Sequence, residues 1–333
     1  MKYVVTGATS GLGRNLAERL NADGHQVIGL GRNLQVGTAL AAQDIEFLAV
    51  GLEEINQMTE AMRGADAVLH CAALSSPWGK YKDFYKANVS GTENVIKAME
   101  ASDTDFLVHV STPSIYFNYK SQYNLKEDAP LPEKFANHYA ATKKVAEDKV
   151  SAACKDQKIK ATIIRPRGII GAYDQNILPR ILHISKRGFM PLLDGGKAQV
   201  DITYVDNVVE AMLLILKPGC HQEGKIYNIT NDEPIILKDL LSLTLNELGI
   251  HIPFKHIPYF TAHLMACGME AVCKILPSYP EPPLTAYSAG VFALSQTLNI
   301  DAAKNDLGYV PKVSVEKGIK KAAQWSKQHA DYI

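Results

Sequence analysis

The chain has 333 residues, 47% of them hydrophobic and 21% charged, and its 35 basic side chains balance 35 acidic ones. That length predicts about two domains or one large α/β unit with an ample core, and balanced charge argues against a nucleic-acid binder, which normally carries a basic excess. A composition near the globular average excludes a disordered, collagenous or disulfide-scaffold chain.

Met1-Lys2 leads straight into the apolar run Tyr3-Val4-Val5, so no targeting segment is expected. No run of about 18 apolar residues predicts a membrane span. The five cysteines, Cys71, Cys154, Cys220, Cys267 and Cys273, are odd in number and lack zinc-ligand spacing. They read as reduced thiols of a cytoplasmic protein without a metal site.

Strands are predicted at 3–5, 26–30, 46–50, 67–70, 106–110 and 161–164, and helices near 12–23, 55–62, 83–101 and 137–157. Their alternation implies βαβ units and a doubly wound parallel sheet of Rossmann type. After Arg165-Pro166 the pattern loosens, yet a helix over 206–216 and a strand at 227–230 still have the look of sheet-packed pieces. We therefore expect a dinucleotide-binding domain over 1–167, with segments near 205–230 returning to it. Residues 168–333 would form a smaller, interleaved substrate-binding region.

The first strand runs into Thr6-Gly7-Ala8-Thr9-Ser10-Gly11-Leu12-Gly13 and then a helix. Glycines there allow a tight turn and close backbone approach to a pyrophosphate held at the helix N-terminus. The second strand ends in Leu30-Gly31-Arg32-Asn33, with no Asp or Glu between Asp23 and Asp44. A carboxylate at that point favours NAD, whereas Arg32 suits a 2′-phosphate, so NADP(H) is favoured over NAD(H); the bland alternative is a solvated surface arginine.

Tyr139 and Lys143 stand four apart, on one helix face. A cation close to a phenol lowers its pKa from about 10 and makes it a usable acid or base. The fifth strand ends in the hydroxyl-rich Ser111-Thr112-Pro113-Ser114-Ile115-Tyr116, and His70-Cys71-Ala72-Ala73 and Asn88-Val89-Ser90-Gly91-Thr92 complete the set.

On these motifs, together with Arg165-Pro166-Arg167-Gly168 and Tyr204-Val205-Asp206, the chain resembles the extended short-chain dehydrogenase/reductase family over nearly its whole length. The resemblance implies that Tyr139 exchanges a proton, that Lys143 holds the nicotinamide ribose and tunes Tyr139, and that Thr112, rather than Ser111 or Ser114, orients the substrate oxygen. It also implies cofactor contacts from Gly7, Thr9, Ser10, Gly11, Leu12, Gly13, Arg32, Asn33, Leu52, Cys71, Ala72, Ala73, Asn88, Pro166, Gly168 and Ile169. Substrate contacts would come from Ser75, Trp78, Ser114 and Tyr116, the last as a pocket wall. Two departures from the family pattern stand out. Ser10 replaces the usual middle glycine of the turn, and Gly51-Leu52 stands where Asp-Leu is usual.

All eight arginines lie at or before Arg187. A nucleotide-sugar enzyme needs to hold a second pyrophosphate, for which arginine is the usual device. The later region offers instead a broad apolar helix at 258–277, interrupted by His263, Glu270 and Lys274, with Glu270 and Lys274 able to pair. It reads as a well-buried helix, a lid over a greasy substrate, or a patch touching a membrane or partner. Asp201 and Asp206 read as structural, with Asp206 as a helix N-cap.

This combination resembles the 3β-hydroxysteroid dehydrogenase-like branch, and within it bacterial members that reduce 2-alkyl-3-oxoalkanoates. The implied activity is NADP(H)-dependent reduction of a hydrophobic 3-oxo acid, or a related ketone or sterol, by a homodimer built on helices near 88–101 and 137–157. The alternatives are a nucleotide-sugar epimerase or dehydratase with retained NAD, and a non-catalytic NADP(H)-sensing protein.

Overall fold

The strand candidates of the first half all pair into one sheet. The structure, a computed structural model, describes residues 1–217 and 223–329, so Cys220 lies outside the described residues. The strands are β1 (Lys2–Thr6), β2 (Gln26–Gly31), β3 (Glu46–Ala49), β4 (Ala67–His70), β5 (Phe106–Val110), β6 (Lys160–Pro166) and β7 (Ile226–Ile229). They lie in the order β3-β2-β1-β4-β5-β6-β7, and every pairing is parallel. The chain winds outward from β1 in one direction and then crosses back to β4, leaving a crevice at the carboxyl ends of these two strands.

Alternation along the strands sends Val4, Val68 and Leu107 to one face and Val5, Leu69 and Val108 to the other, all fully buried. The Ile55–Met62, Gly91–Ser102 and His138–Lys155 helices cover the first face through Met58, Met99 and Val150. The Gly11–Ala22, Leu34–Ala41 and Val205–Leu216 helices cover the second through Leu16, Leu40 and Met212. A parallel sheet needs both faces covered, which explains its continuous apolar runs.

Several elements differ from the sequence reading. The helix expected over 83–101 is broken into Tyr81–Phe84, a π-helical Tyr85–Ser90 and Gly91–Ser102; such widened turns recur at functional sites, and this one carries Asn88. The short Leu34–Ala41 helix was masked by Gly37, where a Cβ would lie 2.2 Å from the Phe47 ring. Asp206 is not an N-cap: Tyr204 holds that position, and Asp206 sits within the first turn, 3.8 Å from Lys321. Its carboxylate there still favours the positive end of the helix.

The later residues share the core of the sheet. Leu240 and Leu241 of the Leu237–Leu248 helix and Ile319 of the Val315–Gln328 helix belong to the same apolar cluster as Val5 and Leu16. The Tyr259–Ile275 helix overturns the well-buried reading: only Ala262 and Ala266 are buried, while Phe260 is 77%, Leu264 64% and Ile275 84% exposed. Its inner side docks through a small apolar cluster of Ala262 with Leu193 and Ala289, and through polar groups. Asp194 accepts from the Tyr259 nitrogen at 2.8 Å, and Glu270 accepts from the Ala286 nitrogen at 2.7 Å. Glu270 also pairs with Lys274 at 3.6 Å, as its spacing predicts. Among the described residues no helix is long and apolar enough to cross a membrane.

One buried ion pair ties the sheet to the His138–Lys155 helix. Arg165 of β6 donates from Nε to Glu147 Oε2 at 3.0 Å and from Nη2 to Oε1, with both side chains almost fully enclosed. Removing one partner strands the other charge in the interior. Glu147→Leu should therefore lower unfolding free energy by about 3 kcal/mol in chemical denaturation, and a Glu147→Leu/Arg165→Met double variant should recover most of that loss.

Candidate active site

The turn after β1 brings two backbone segments into close approach. Gly7 has φ +72°, and a Cβ on it would lie 2.8 Å from the Ala72 nitrogen; a Cβ on Gly13 would lie 2.3 Å from the Gly7 oxygen. Ser10, which replaces the family's middle glycine, has extended backbone (φ −159°) that any residue can adopt, and it stands at the N-cap of the Gly11–Ala22 helix without a side-chain cap bond. Thr9 packs its methyl group against Gly31, and Leu12 turns into the core. This leaves room for a dinucleotide and a helix N-terminus pointed at its phosphates.

At the end of β2, Arg32 is exposed and forms no ion pair among the described residues. Asn33 has a structural task, accepting from the Val36 nitrogen at 3.1 Å to cap the Leu34–Ala41 helix. Leu52 packs on Gly91 and accepts from Asn94 Nδ2 at 2.9 Å. Where an aspartate is usual, the Gly51 nitrogen donates to Glu54 Oε2 at 2.7 Å, so a carboxylate braces this corner from three residues downstream.

Cys71, Ala72 and Ala73 follow β4 and face the glycine turn. Burial pushes the Cys71 thiol up to about 12, which makes it inert as a nucleophile. Asn88 spends its amide on the next residue of this loop, accepting from the Leu74 nitrogen at 2.7 Å and donating to the Leu74 oxygen at 3.2 Å. On the other side of the crevice, Pro166 ends β6, Gly168 turns the chain against Asp201, and Ile169 pairs with Thr203.

The His138–Lys155 helix opens with Asn137 accepting from the Ala140 nitrogen at 2.8 Å, which places Tyr139 in the first turn. The Thr112 and Ser75 hydroxyls lie close enough to the Tyr139 phenol to act on its acidity. Thr112 lies at the end of β5, accepts from the Ser114 nitrogen at 3.2 Å, and lies 3.1 Å from Ser114 Oγ. Ser114 Oγ is in turn 2.9 Å from the Tyr287 hydroxyl. Ser111 points the other way and donates to Glu147 at 2.8 Å. Lys143 donates from Nζ to the Val110 oxygen at 2.7 Å and stands 3.4 Å from His109 Nε2.

Burial dominates the electrostatics here. It raises the Tyr139 phenol, while the Thr112 and Ser75 hydrogen bonds pull it part of the way back. This is opposite to the direction a neighbouring lysine alone predicts, and it keeps the phenol protonated through the neutral range. Burial also lowers Lys143 to about 8, against opposing pulls from Glu147 and Cys71.

The structure thus brings Thr112, Tyr139, Lys143 and Ser75 together and relocates two expected substrate contacts. Ser75, exposed on the loop after β4, lies near the Tyr139 phenol and lowers its pKa. Tyr116 is no pocket wall: the one-turn helix Pro113–Tyr116 swings it inward, where it is fully buried, accepts from Arg165 and donates to Asn228 Oδ1 at 3.2 Å. Trp78 stacks on Tyr279 at 4.9 Å and donates to its carbonyl at 3.3 Å. Tyr287 was missed, because nothing in the sequence around it ties it to β5. It begins an aromatic row through Phe117 (5.4 Å) and Tyr119 (5.1 Å) to His263 (5.6 Å) on the Tyr259–Ile275 helix.

A model of the NAD dependent epimerase/dehydratase family matches residues 3–230. The chain is 34% identical, over 96% of its length and 98% of the relative's, to a 2-alkyl-3-oxoalkanoate reductase of Stenotrophomonas maltophilia (strain K279a). It is 30% identical, over 97% of its length and 92% of the relative's, to a decarboxylating sterol-4-alpha-carboxylate 3-dehydrogenase of Bos taurus. The UDP-glucuronic acid 4-epimerase of Bacillus cereus, solved with NAD, shares the fold with a TM-score of 0.78 over 98% of this chain and 99% of that one, at 19% identity.

A buried ammonium held at about 8 costs stability at neutral pH. The unfolded lysine titrates near 10.5, so the unfolded chain binds more protons between the two values and wild-type stability rises with pH across that window. Lys143→Met should stabilise the fold at pH 7 by about 2 kcal/mol after loss of the Val110 hydrogen bond. That gain should shrink as denaturation is repeated from pH 8 towards 10.5.

Proposed function

Because the chain belongs to the NAD dependent epimerase/dehydratase family, whose members among its relatives are named as reductases and dehydrogenases, we propose that it reduces the ketone of a hydrophobic 3-oxo acid to the 3-hydroxy compound with NADP(H). The observation that carries this reading is the convergence, at the carboxyl end of the sheet, of Tyr139 and Lys143 from one helix with Thr112 just after β5, where Lys143 bonds the Val110 oxygen and burial keeps the phenol protonated. The tight backbone packing at Gly7 and Gly13, with Gly11 open at the helix start, is the strand–turn–helix shape that suits a dinucleotide, and the unpaired Arg32 suits a 2′-phosphate. Gly7, Thr9, Ser10, Gly11, Leu12, Gly13, Arg32, Cys71, Ala72, Ala73, Pro166, Gly168 and Ile169 would hold it, with Lys143 at the nicotinamide ribose. When bound, the nicotinamide supplies the hydride.

Tyr139 donates its phenolic proton to the substrate oxygen, and the Thr112 and Ser75 hydroxyls orient that oxygen as negative charge develops on it. The aromatic row from Tyr287 to His263 supports a greasy substrate, and so do the alkyl and sterol compounds in the relatives' names. On this reading 1–167 binds cofactor and 168–333 mainly substrate, in a cytoplasmic homodimer.

The purified chain should consume NADPH stoichiometrically with a 2-alkyl-3-oxo acid, and Tyr139→Phe should lower kcat at least 100-fold. Conversion of UDP-sugars without net cofactor use would sink the proposal. Arg32→Ala should raise the KM for NADPH about tenfold while leaving that for NADH within twofold. Equal effects on both cofactors would remove the 2′-phosphate role.

A further inference from the structure

A chain of buried hydrogen bonds links the dinucleotide turn to the first turn of the Tyr139 helix, and His70 is its middle. The Ala72 nitrogen donates to Thr6 Oγ1 at 3.3 Å, and Thr6 Oγ1 is 2.7 Å from His70 Nδ1. On the other side of the ring, His70 Nε2 is 3.0 Å from Thr92 Oγ1, which donates to the Asn88 oxygen at 2.7 Å. Asn88 Nδ2 reaches Thr142 Oγ1 at 3.1 Å, and that hydroxyl donates to the His138 oxygen at 2.8 Å. Thr6, His70, Asn88, Thr92 and Thr142 are all within 1% of complete burial.

The bookkeeping of hydrogens leaves one tautomer. Thr92 has a single hydroxyl hydrogen, committed to the Asn88 oxygen, so its oxygen can only accept from His70. His70 therefore carries its proton on Nε2, and its bare Nδ1 accepts the Thr6 hydroxyl hydrogen. This frees the Thr6 oxygen to accept from Ala72. Each donor finds an acceptor, the Thr142 hydroxyl lying between the His138 oxygen at 2.8 Å and the Tyr139 oxygen at 3.1 Å. Burial, with a smaller push from Lys143, lowers the ring to about 3, so no proton enters this chain at working pH.

We propose that His70 is a positioning residue that, through this one tautomer, sets the spacing between the cofactor turn and the helix bearing Tyr139 and Lys143. The Thr6 end fixes the 71–73 loop where its backbone meets Gly7. The Thr92 end passes through Asn88 to Leu74 and Thr142, and hence to the residues flanking Tyr139. A mispositioning of about 1 Å between reacting groups costs on the order of 100-fold in rate, so a rigid relay at this place has kinetic value.

The inference rests on the reductase reading, and the test separates the two. Cofactor dissociation constants are measured by NADPH fluorescence without substrate, and kcat and KM with a 2-alkyl-3-oxo acid, for wild type, His70→Leu, His70→Asn, His70→Gln and the near-isosteric Thr92→Val. His70→Leu should raise the NADPH dissociation constant about tenfold and lower kcat at saturating cofactor at least tenfold, with substrate KM within twofold. His70→Asn, whose amide reaches the Nδ1 position, should restore cofactor affinity. His70→Gln, which reaches the Nε2 position, should recover kcat, and Thr92→Val should lower kcat with little effect on affinity. Unchanged affinity and kcat in His70→Leu and Thr92→Val would overturn the proposal. So would a uniform loss of affinity, kcat and thermal midpoint that neither Asn nor Gln repairs, because that is simple packing damage. A wild-type enzyme that turns over no oxo acid would refute the reductase reading, while the cofactor-affinity arm would still decide the role of His70.

Discussion

The cleft depends on one steric constraint, the approach of the 71–73 backbone to the glycine turn at the β1–β4 crossover. A Cβ on Gly7 would come within 2.8 Å of the Ala72 nitrogen, and a Cβ on Gly13 within 2.3 Å of the Gly7 oxygen, so neither position tolerates a side chain. Because these segments touch, the helix N-terminus, the end of β4 and the start of the next loop share one small volume. The winding reversal creates the crevice, and the missing side chains let it close to the width of a dinucleotide.

Enclosure then does the electrostatic work with one cause and opposite signs. It disfavours charge, which raises the acid Tyr139 and lowers the bases Lys143 and His70. The consequence is a proton-bearing phenol, an amine with an accessible deprotonation and a permanently neutral imidazole, all without a carboxylate contacting the phenol. The buried carboxylate of the same helix, Glu147, is taken up by Arg165 and Ser111, and its remaining pull on Lys143 only partly offsets burial. The ion pair thus ties the helix to the sheet directly behind the site.

The sheet was legible because two-sided burial writes itself as continuous apolar runs, and the six first strands and β7 emerge from that pattern alone. The Tyr139–Lys143 spacing and the glycine turn were legible for a similar reason, being local in sequence. What was not legible arises from distant segments. Tyr287 reaches the site from the first turn of the Ala286–Ala293 helix, far along the chain, whose placement no periodicity encodes, and Tyr116 was misplaced because a one-turn helix reverses its direction. The Tyr259–Ile275 helix shows the limit of pattern reading most clearly. Its broad apolar arc reads as buried, yet only the small Ala262 and Ala266 turn inward, beside the polar contacts of the Tyr259 nitrogen and Glu270, and the large apolar side chains face out.

The arginine distribution needs a finer reading than sequence position allows. Arg14, Arg19, Arg63, Arg165 and Arg180 are paired with Glu18, Asp23, Glu60, Glu147 and Glu281, and Arg167 is buried beside Asp201. Most of the concentration at or before Arg187 is therefore structural rather than a phosphate-binding surface. Arg32 and Arg187 are the exposed arginines outside those pairs, and Arg32 alone stands at the end of β2 beside the turn. The case for a phosphorylated ribose thus narrows from a regional excess to a single guanidinium. Beyond Arg187 the chain has no arginine, and of the lysines there Lys225, Lys274, Lys304, Lys312 and Lys321 are held by Asp306, Glu270, Asp232, Glu210 and Asp206. The row from Tyr287 through Phe117, which is buried, and Tyr119 to His263 joins the Ser114 hydroxyl after β5 to the Tyr259–Ile275 helix, so the end of the sheet and the outer helix are tied by aromatic packing rather than by charge.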